Sequence, residues 1–243
     1  MGGNVGKLQP FSLVEYGRVV QLDSDMMLRR NMDELMDLAL DVEGDRVFAA
    51  SHACVCNPLK KAHYPKDWYC THLLPPPRLE RYPSYNHPQT NQLNRIPSNC
   101  AYTSQHSTPE KALETGAPST CGLGVCNGGL QVVQPSQKLF DQIVKTLNSP
   151  DATENYDFAD QSLLSDTFRG RWVPLSYIYN ALKTIRWCHK EIWNGDEVKN
   201  MHYVLSPKPW EDRESEDFTH KWWWECNDAR VAKERGEGID DGW

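Results

Sequence analysis

The chain carries no excess of positive charge: 26 Lys and Arg stand against 33 Asp and Glu, a net charge of −7. Nucleic-acid binding normally shows as a basic patch, so this balance argues against a nucleic-acid partner. No apolar run approaches the roughly 20 residues of a membrane span. No basic-then-apolar leader opens the sequence either. The expectation is a cytoplasmic protein without a membrane partner. A disulfide framework is also missing, since eight cysteines in 243 residues without a secretory leader read as thiols. The length suits one domain over 1–243 with a sizeable core. Before position 18 the sequence lacks the strands with which an α/β nucleotide-binding fold usually begins, so the domain is expected to be incomplete at its N-terminus.

What is present is organised around Arg18-Val19-Val20-Gln21-Leu22-Asp23-Ser24-Asp25-Met26-Met27. The apolar run suits a central parallel strand covered on both faces. It ends in two carboxylates one residue apart, at the kind of strand end where open α/β sheets place their ligands. Two acids at i and i+2 repel when buried. A divalent cation removes that objection, because hard cations take carboxylate oxygens. The plainer reading is that Asp23 and Asp25 open a solvated loop, and spacing alone leaves both readings open.

Several elements follow along the chain. Phe11 to Tyr16 suits a short helix. Asn31 reads as the N-cap of a second helix, with Glu34 at the reciprocal position of a capping box and Met32, Leu35 and Met36 on its apolar face. Arg46 to Ala50 reads as a strand. Residues 51–120, rich in Pro, Asn, Ser, His and Tyr, read as a long irregular insertion. Asn127-Gly128-Gly129 is a turn signal ahead of the strand Leu130 to Val133. Ser136 precedes a helix with apolar residues at 139, 140, 143, 144 and 147. Asp160 to Phe168 forms another helix, with Leu163, Leu164 and Phe168 inward. Trp172 to Leu175 and Lys199 to Val204 are late strands, and residues 225–243 read as a flexible tail. Helices alternating with apolar strands point to an α/β fold with a mixed, mostly parallel sheet.

The second chemical element is His202-Tyr203-Val204-Leu205-Ser206-Pro207-Lys208-Pro209-Trp210. A histidine at a strand end can give one imidazole nitrogen to a metal, although a lone strand histidine is more often a satisfied core residue. Lys208 supplies a point charge suited to phosphate, on a loop stiffened by Pro207 and Pro209.

Together these motifs resemble glycosyltransferase family 8, the retaining enzymes related to glycogenin and galactinol synthase. The carriers are Asp23-Ser24-Asp25 after a strand, Asn127-Gly128-Gly129, Asp160-Gln161, and His202 with Lys208-Pro209-Trp210, in the family's order. The resemblance implies a GT-A-like nucleotide-sugar-binding fold, here without its first strands and with the 51–120 insertion. It implies a hexosyltransferase moving galactose or glucose from a UDP-sugar donor to a hydroxyl acceptor, a small polyol or carbohydrate. Asp23, Asp25 and His202 would hold Mn²⁺, a cation that accepts two hard oxygens and an imidazole. Lys7 and Lys208 would face the donor phosphates, Asn127, Gly128 and Gly129 the donor sugar, and Asp160 and Gln161 the anomeric carbon. Without the resemblance, Asp160 reads equally well as a helix N-cap.

At the offset of the self-modified tyrosine of glycogenin-like proteins this chain has Trp187, which counts against self-glucosylation there. Trp187 to Glu191 and Lys221-Trp222-Trp223 look more like galactinol synthase. The chain departs from the family's pattern at Leu205, where a small residue is common. The alternative is a truncated, non-catalytic relative acting as a metal-binding, UDP-sugar-binding or partner module, and the resemblance leaves homo-oligomerisation open. His52, Cys54, Cys56, His63, Cys70 and His72 could supply a zinc tetrahedron, but they do not follow zinc-knuckle spacing, and scattered thiols are the favoured reading. Trp222-Trp223-Trp224 reads as core packing of a terminal helix rather than a sugar platform.

Overall fold

The computed structural model describes residues 5–57, 68, 99–149 and 159–239. The expected features at His63, Cys70 and His72, and much of the 51–120 insertion, lie outside the described residues. Strands β1 (Val19–Leu22), β3 (Phe48–His52), β4 (Cys126–Val133) and β5 (Val173–Pro174) form one sheet in the order β1-β4-β3-β5. Strands β2 (Met26–Leu28), β6 (Ala181–Leu182) and β7 (Asn200–His202) form a second, in the order β2-β7-β6.

The sheets are mixed, as expected, but not mostly parallel among the described residues. β4 runs antiparallel to both β1 and β3, and β2 antiparallel to β7. Only β3 with β5 and β6 with β7 are parallel. β1 is correspondingly an edge strand of the described sheet, half-buried along its length rather than central. The central strand is β4, buried at all eight residues. Asn127-Gly128-Gly129 is therefore strand and not turn. Glycine inside a strand marks a place where another group approaches closely, and such a group is present here.

The helices are α1 (Pro109–Glu114), α2 (Gln137–Leu147), α3 (Ala159–Thr167), α4 (Ile185–Cys188) and α5 (Phe218–Gly236). In α2 the apolar spacing buries Leu139 and Ile143, and Leu163, Leu164 and Phe168 turn inward from α3 and its end. They pack beneath the first sheet with Phe11, Phe48 and Trp172. Ring centroids in this cluster lie 5.8 to 6.3 Å apart. Such aromatic pairs add about 0.5–1.5 kcal/mol each beyond burial. A second core fills the space around β6, β7 and α4, with Tyr102, Tyr177, Ile185 and Tyr203 fully covered.

Three local expectations need correction. The Asn31 helix is only the 3₁₀ turn Asp33–Leu35, because Asn31 Oδ1 accepts from the Asp33 amide and Glu34 turns to Tyr179 and Lys199 instead of back to the cap. Order resumes well before 121: a 3₁₀ turn over Ala101–Gln105 and then α1, with Pro109 at its first turn, bury Tyr102 and Ala112. The expected tail is helical to Gly236. Asp217 caps α5 by accepting from the Thr219 amide at 2.9 Å, and an Arg230–Glu234 pair supports its exposed end. Trp222 and Trp223 pack against the second core as expected, with Arg29 lying 3.6 Å over the Trp222 ring.

Candidate active site

The turn Asp23-Ser24-Asp25 links β1 of the first sheet to β2 of the second, so both carboxylates stand where the sheets meet. The Asp23 amide extends the β1–β4 ladder by donating to the Gly129 carbonyl at 2.8 Å. Met26 pairs with His202 across β2 and β7, and the Tyr203 amide donates to the Asp25 carbonyl at 2.9 Å. Backbone pairing thus brings the acids and the histidine together across most of the chain's length. His202 Nε2 lies 3.1 Å from Asp25 Oδ1 and 3.9 Å from Asp23 Oδ2.

Two lysines complete the charge pattern. Lys7, from the 3₁₀ helix Val5–Ser12, reaches Asp23 Oδ2 at 2.9 Å and Asp160 Oδ2 at 3.8 Å. Lys208 reaches Asp25 Oδ2 at 2.5 Å and donates to the Tyr203 carbonyl at 2.6 Å. Burial pushes the Asp25 carboxyl upward, but hydrogen bonds and charge from Lys208 and from His202 in its doubly protonated form outweigh it and hold the group well below the usual carboxylate range. Asp160 behaves oppositely. Burial raises its carboxyl and Lys7 only partly offsets this, while its Oδ2 has no hydrogen-bond partner among the described residues.

Asp160 and Gln161 open α3 and face β4. The Gln161 side-chain oxygen accepts from the Gly128 amide at 3.0 Å, and the residue also lines the cleft. A Cβ on Gly128 would stand 2.6 Å from Asp160 Oδ2, and one on Gly129 would stand 2.4 Å from His202 Cε1. The two glycines are what let the acid and the imidazole lie against the strand. All ten side chains and glycines singled out from the sequence gather here. They lie in or beside an open cleft of about 280 Å³, also walled by Cys54, Trp68, Leu182 and Thr184.

Three residues that matter to this arrangement were not singled out. Asn180 is the first. Its Oδ1 lies 2.8 Å from His202 Nδ1, and its Nδ2 donates to Asn127 Oδ1 at 2.8 Å. Asn127 Oδ1 also accepts from the Gly129 amide at 3.0 Å. A backbone N–H can only donate, so the order is fixed in turn: Asn127 presents oxygen, Asn180 presents nitrogen to it and oxygen to His202, and His202 Nδ1 must carry the proton. In the neutral ring Nε2 is then a lone pair aimed at two carboxylates. Three such acceptor atoms, all within 4.8 Å of one another, form the donor set of a divalent cation.

Lys183 is the second. It is buried, with its ammonium pushed down to about 8 by desolvation, and it donates to the carbonyls of Leu205 and Pro207 at 2.9 and 2.6 Å. It thereby pins the loop that carries Lys208. Leu205 in that loop adopts φ 66°, a conformation that favours glycine, which gives a physical meaning to the small residue expected there. The third is His189, whose ring meets the cysteines that the sequence left scattered. His52 is not among them, and its Nε2 lies 2.9 Å from the Ala117 carbonyl.

The chain is similar to several known proteins. The model of glycosyl transferase family 8 matches residues 7–214. Galactinol synthase 2 of Solanum lycopersicum is 27% identical over 245 residues, covering 97% of this chain and 60% of that protein. Galactinol synthase 4 of Arabidopsis thaliana is 25% identical over 238 residues, covering 94% and 59%. The chain thus spans about 60% of the length of the curated relatives it matches. Among solved structures, the glycosyltransferase GlyE of Streptococcus pneumoniae aligns with a TM-score of 0.52 at 15% identity, over 99% of this chain and 48% of that one. An active-site mutant of LgtC aligns with a TM-score of 0.52 at 12% identity, over 94% and 70%. These likenesses concern the fold, which is of the expected GT-A-like α/β kind.

Proposed function

Since the chain belongs to glycosyl transferase family 8, we propose that its cleft is a hexosyl-transfer site that takes a UDP-sugar and a divalent cation, Mn²⁺ above others. The observation that carries this reading is the meeting of Asp23, Asp25 and the Nε2 lone pair of His202 between two lysines. Those three residues would hold the cation, which when bound neutralises charge on a diphosphate leaving group. Two carboxylate oxygens and one imidazole suit Mn²⁺ better than Mg²⁺, which keeps oxygen and water ligands.

The remaining steps belong to the chain's own side chains. Lys208 and Lys7 bind donor phosphates with their ammonium groups as the carboxylates turn to the cation. Gly128 and Gly129 offer the sugar a surface without Cβ atoms, beside Asn127. The Asp160 carboxylate and the Gln161 amide stabilise positive charge at the anomeric carbon. Retention fits front-face attack, in which the acceptor hydroxyl passes its proton to the departing phosphate as the new bond forms on the face the phosphate leaves. The acceptor class is a small polyol or carbohydrate, and the galactinol synthases among the relatives favour a polyol and a galactosyl donor.

Calorimetric titration of UDP with and without Mn²⁺, on the wild type and Asp25→Ala, tests the site. Binding that needs Mn²⁺ and is lost in the variant is expected, and Mn²⁺-independent binding or none would overturn the reading. With UDP-galactose and myo-inositol, the anomeric configuration of product read by NMR tests the mechanism. A β-linked product from the α-linked donor would exclude retention.

A further inference from the structure

Outside the aspartate site a second cluster of ligating atoms is buried in the protein. Cys54 and Cys56 follow β3, Cys100 immediately precedes the 3₁₀ turn Ala101–Gln105, and His189 follows α4. All four are buried, His189 completely. Their sulfurs converge on a single atom: His189 Nε2 lies 3.6 Å from Cys54 Sγ, 3.2 Å from Cys56 Sγ and 3.3 Å from Cys100 Sγ. The four ligand atoms all lie within 4.8 Å of one another.

Thiols packed merely as small apolar groups give no reason for this convergence. One ring nitrogen can share one proton with one sulfur, so hydrogen bonding to His189 accounts for only one of the three close sulfurs. A tetrahedral zinc centre satisfies them all. With Zn–S near 2.3 Å and Zn–N near 2.0–2.1 Å, the edges of the tetrahedron come to about 3.5–3.8 Å. The Cys54 distance of 3.6 Å lies in that span, and the Cys56 and Cys100 distances of 3.2 and 3.3 Å fall slightly short of it.

The groups behind the ring fit the same chemistry. His189 Nδ1 lies 2.9 Å from His106 Nε2, and His106 Nδ1 lies 3.5 Å from Glu191 Oε2. A carboxylate at the end of such a relay holds the proton on the outer nitrogens and turns the Nε2 lone pair inward, as the supporting groups of zinc-bound histidines do.

We propose that Cys54, Cys56, Cys100 and His189 hold a structural Zn²⁺ ion, with His106 and Glu191 orienting the imidazole. The binding is an exchange of protons for metal: thiol protons leave to solvent and three thiolates and a neutral imidazole close the shell, with no redox change. The ion ties the exit of β3 to the end of α4 and closes the long segment between Cys56 and Cys100. Closing a long loop in this way lowers the entropy of the unfolded chain. Cys54 also lines the catalytic cleft, so the zinc fixes part of the cleft wall without contacting the aspartate site.

The test is metal analysis of the full chain purified under reducing conditions. About one zinc per chain is expected, retained against EDTA and released by a thiol-blocking mercurial. Replacement by Co²⁺ should give the visible bands of a tetrahedral thiolate complex. Cys100→Ser and His189→Ala should lose the ion, whereas Cys188→Ser and Asp25→Ala should keep it. Absence of zinc from the wild type together with no Co²⁺ spectrum on reconstitution would overturn the proposal, and this needs no variant to fold. So would loss of the zinc in Asp25→Ala, which would assign it to the aspartate site, or a disulfide among these cysteines in the freshly purified protein. Retention in His189→Ala with loss in Cys188→Ser would overturn the ligand set. None of these results depends on transferase activity.

Discussion

Replacing Asn180 by Ala removes one link from the chain that runs from the Gly129 amide through Asn127 to His202. Two hydrogen bonds of 2.8 Å disappear. Asn127 Oδ1 keeps the Gly129 amide as a donor, so the loss falls on His202 Nδ1, whose N–H would be left without a partner in a ring that is 3% exposed. An unsatisfied buried donor costs about 1–3 kcal/mol. The ring can avoid that cost by moving its proton to Nε2, where Asp25 Oδ1 waits at 3.1 Å. The escape consumes the lone pair intended for the cation. Loss of a supporting group of this kind typically lowers metal affinity about 10–100-fold, or roughly 1.4–2.8 kcal/mol. Mn²⁺ titration followed by UDP binding should show this loss in Asn180→Ala, and Tyr179→Phe, one residue away but bonded to surface Glu34, should not. Imidazole ¹⁵N NMR of the metal-free wild type should find the proton on Nδ1 of His202. A proton on Nε2, or unchanged Mn²⁺ affinity in a folded Asn180→Ala, would refute the relay.

Other consequences follow from the same geometry. The Asp160 carboxyl is raised on folding, so the folded state holds its proton to higher pH than the unfolded one and stability falls as pH rises through that window. Asp160→Asn should therefore be more stable than wild type to urea at neutral pH, with the gap closing below about pH 4, while transfer drops about 10²–10³-fold. Asp25 has the opposite sign. Its carboxyl is depressed, so its contribution is full above the unfolded value of 3.8 and is lost as pH falls through the folded one. Urea titrations in EDTA should show a shallower acid limb for Asp25→Asn than for wild type. Leu205→Gly relieves the positive φ, a conformation costing about 1–2 kcal/mol for L residues, against about 0.5–1 kcal/mol of added backbone freedom. A denaturation midpoint raised by the equivalent of up to about 1.5 kcal/mol is expected, and a clear fall would show that Leu205 packing outweighs its backbone strain.

The elements legible in the sequence were those written in local spacing. The β1 run ending at Asp23, the α2 periodicity that buries Leu139 and Ile143, and the inward Leu163, Leu164 and Phe168 all depend on neighbours within a turn or two. Errors arose where long-range contacts decide. Strand direction is set by pairings such as Val19 with Val133, and an apolar run reads the same in either direction. Asn127-Gly128-Gly129 looked like a turn because two glycines usually mark one. Here they were required by the close approach of Asp160 and His202.

By itself, the sequence determined which groups could do chemistry: the paired aspartates, the histidine with its lysine six residues on, and the acid–amide pair that opens α3. Their order was enough to indicate the family. Only the tertiary structure decided which proton His202 carries, because that depends on two asparagines and a backbone amide brought together from distant segments. The same holds for the second cluster. Cys56 and His189 are 133 positions apart, and no spacing rule spans such a gap. Hydrogen bonds and ligand shells form through space at about 3 Å, whereas a motif records distance along the chain, and folding alone converts one into the other.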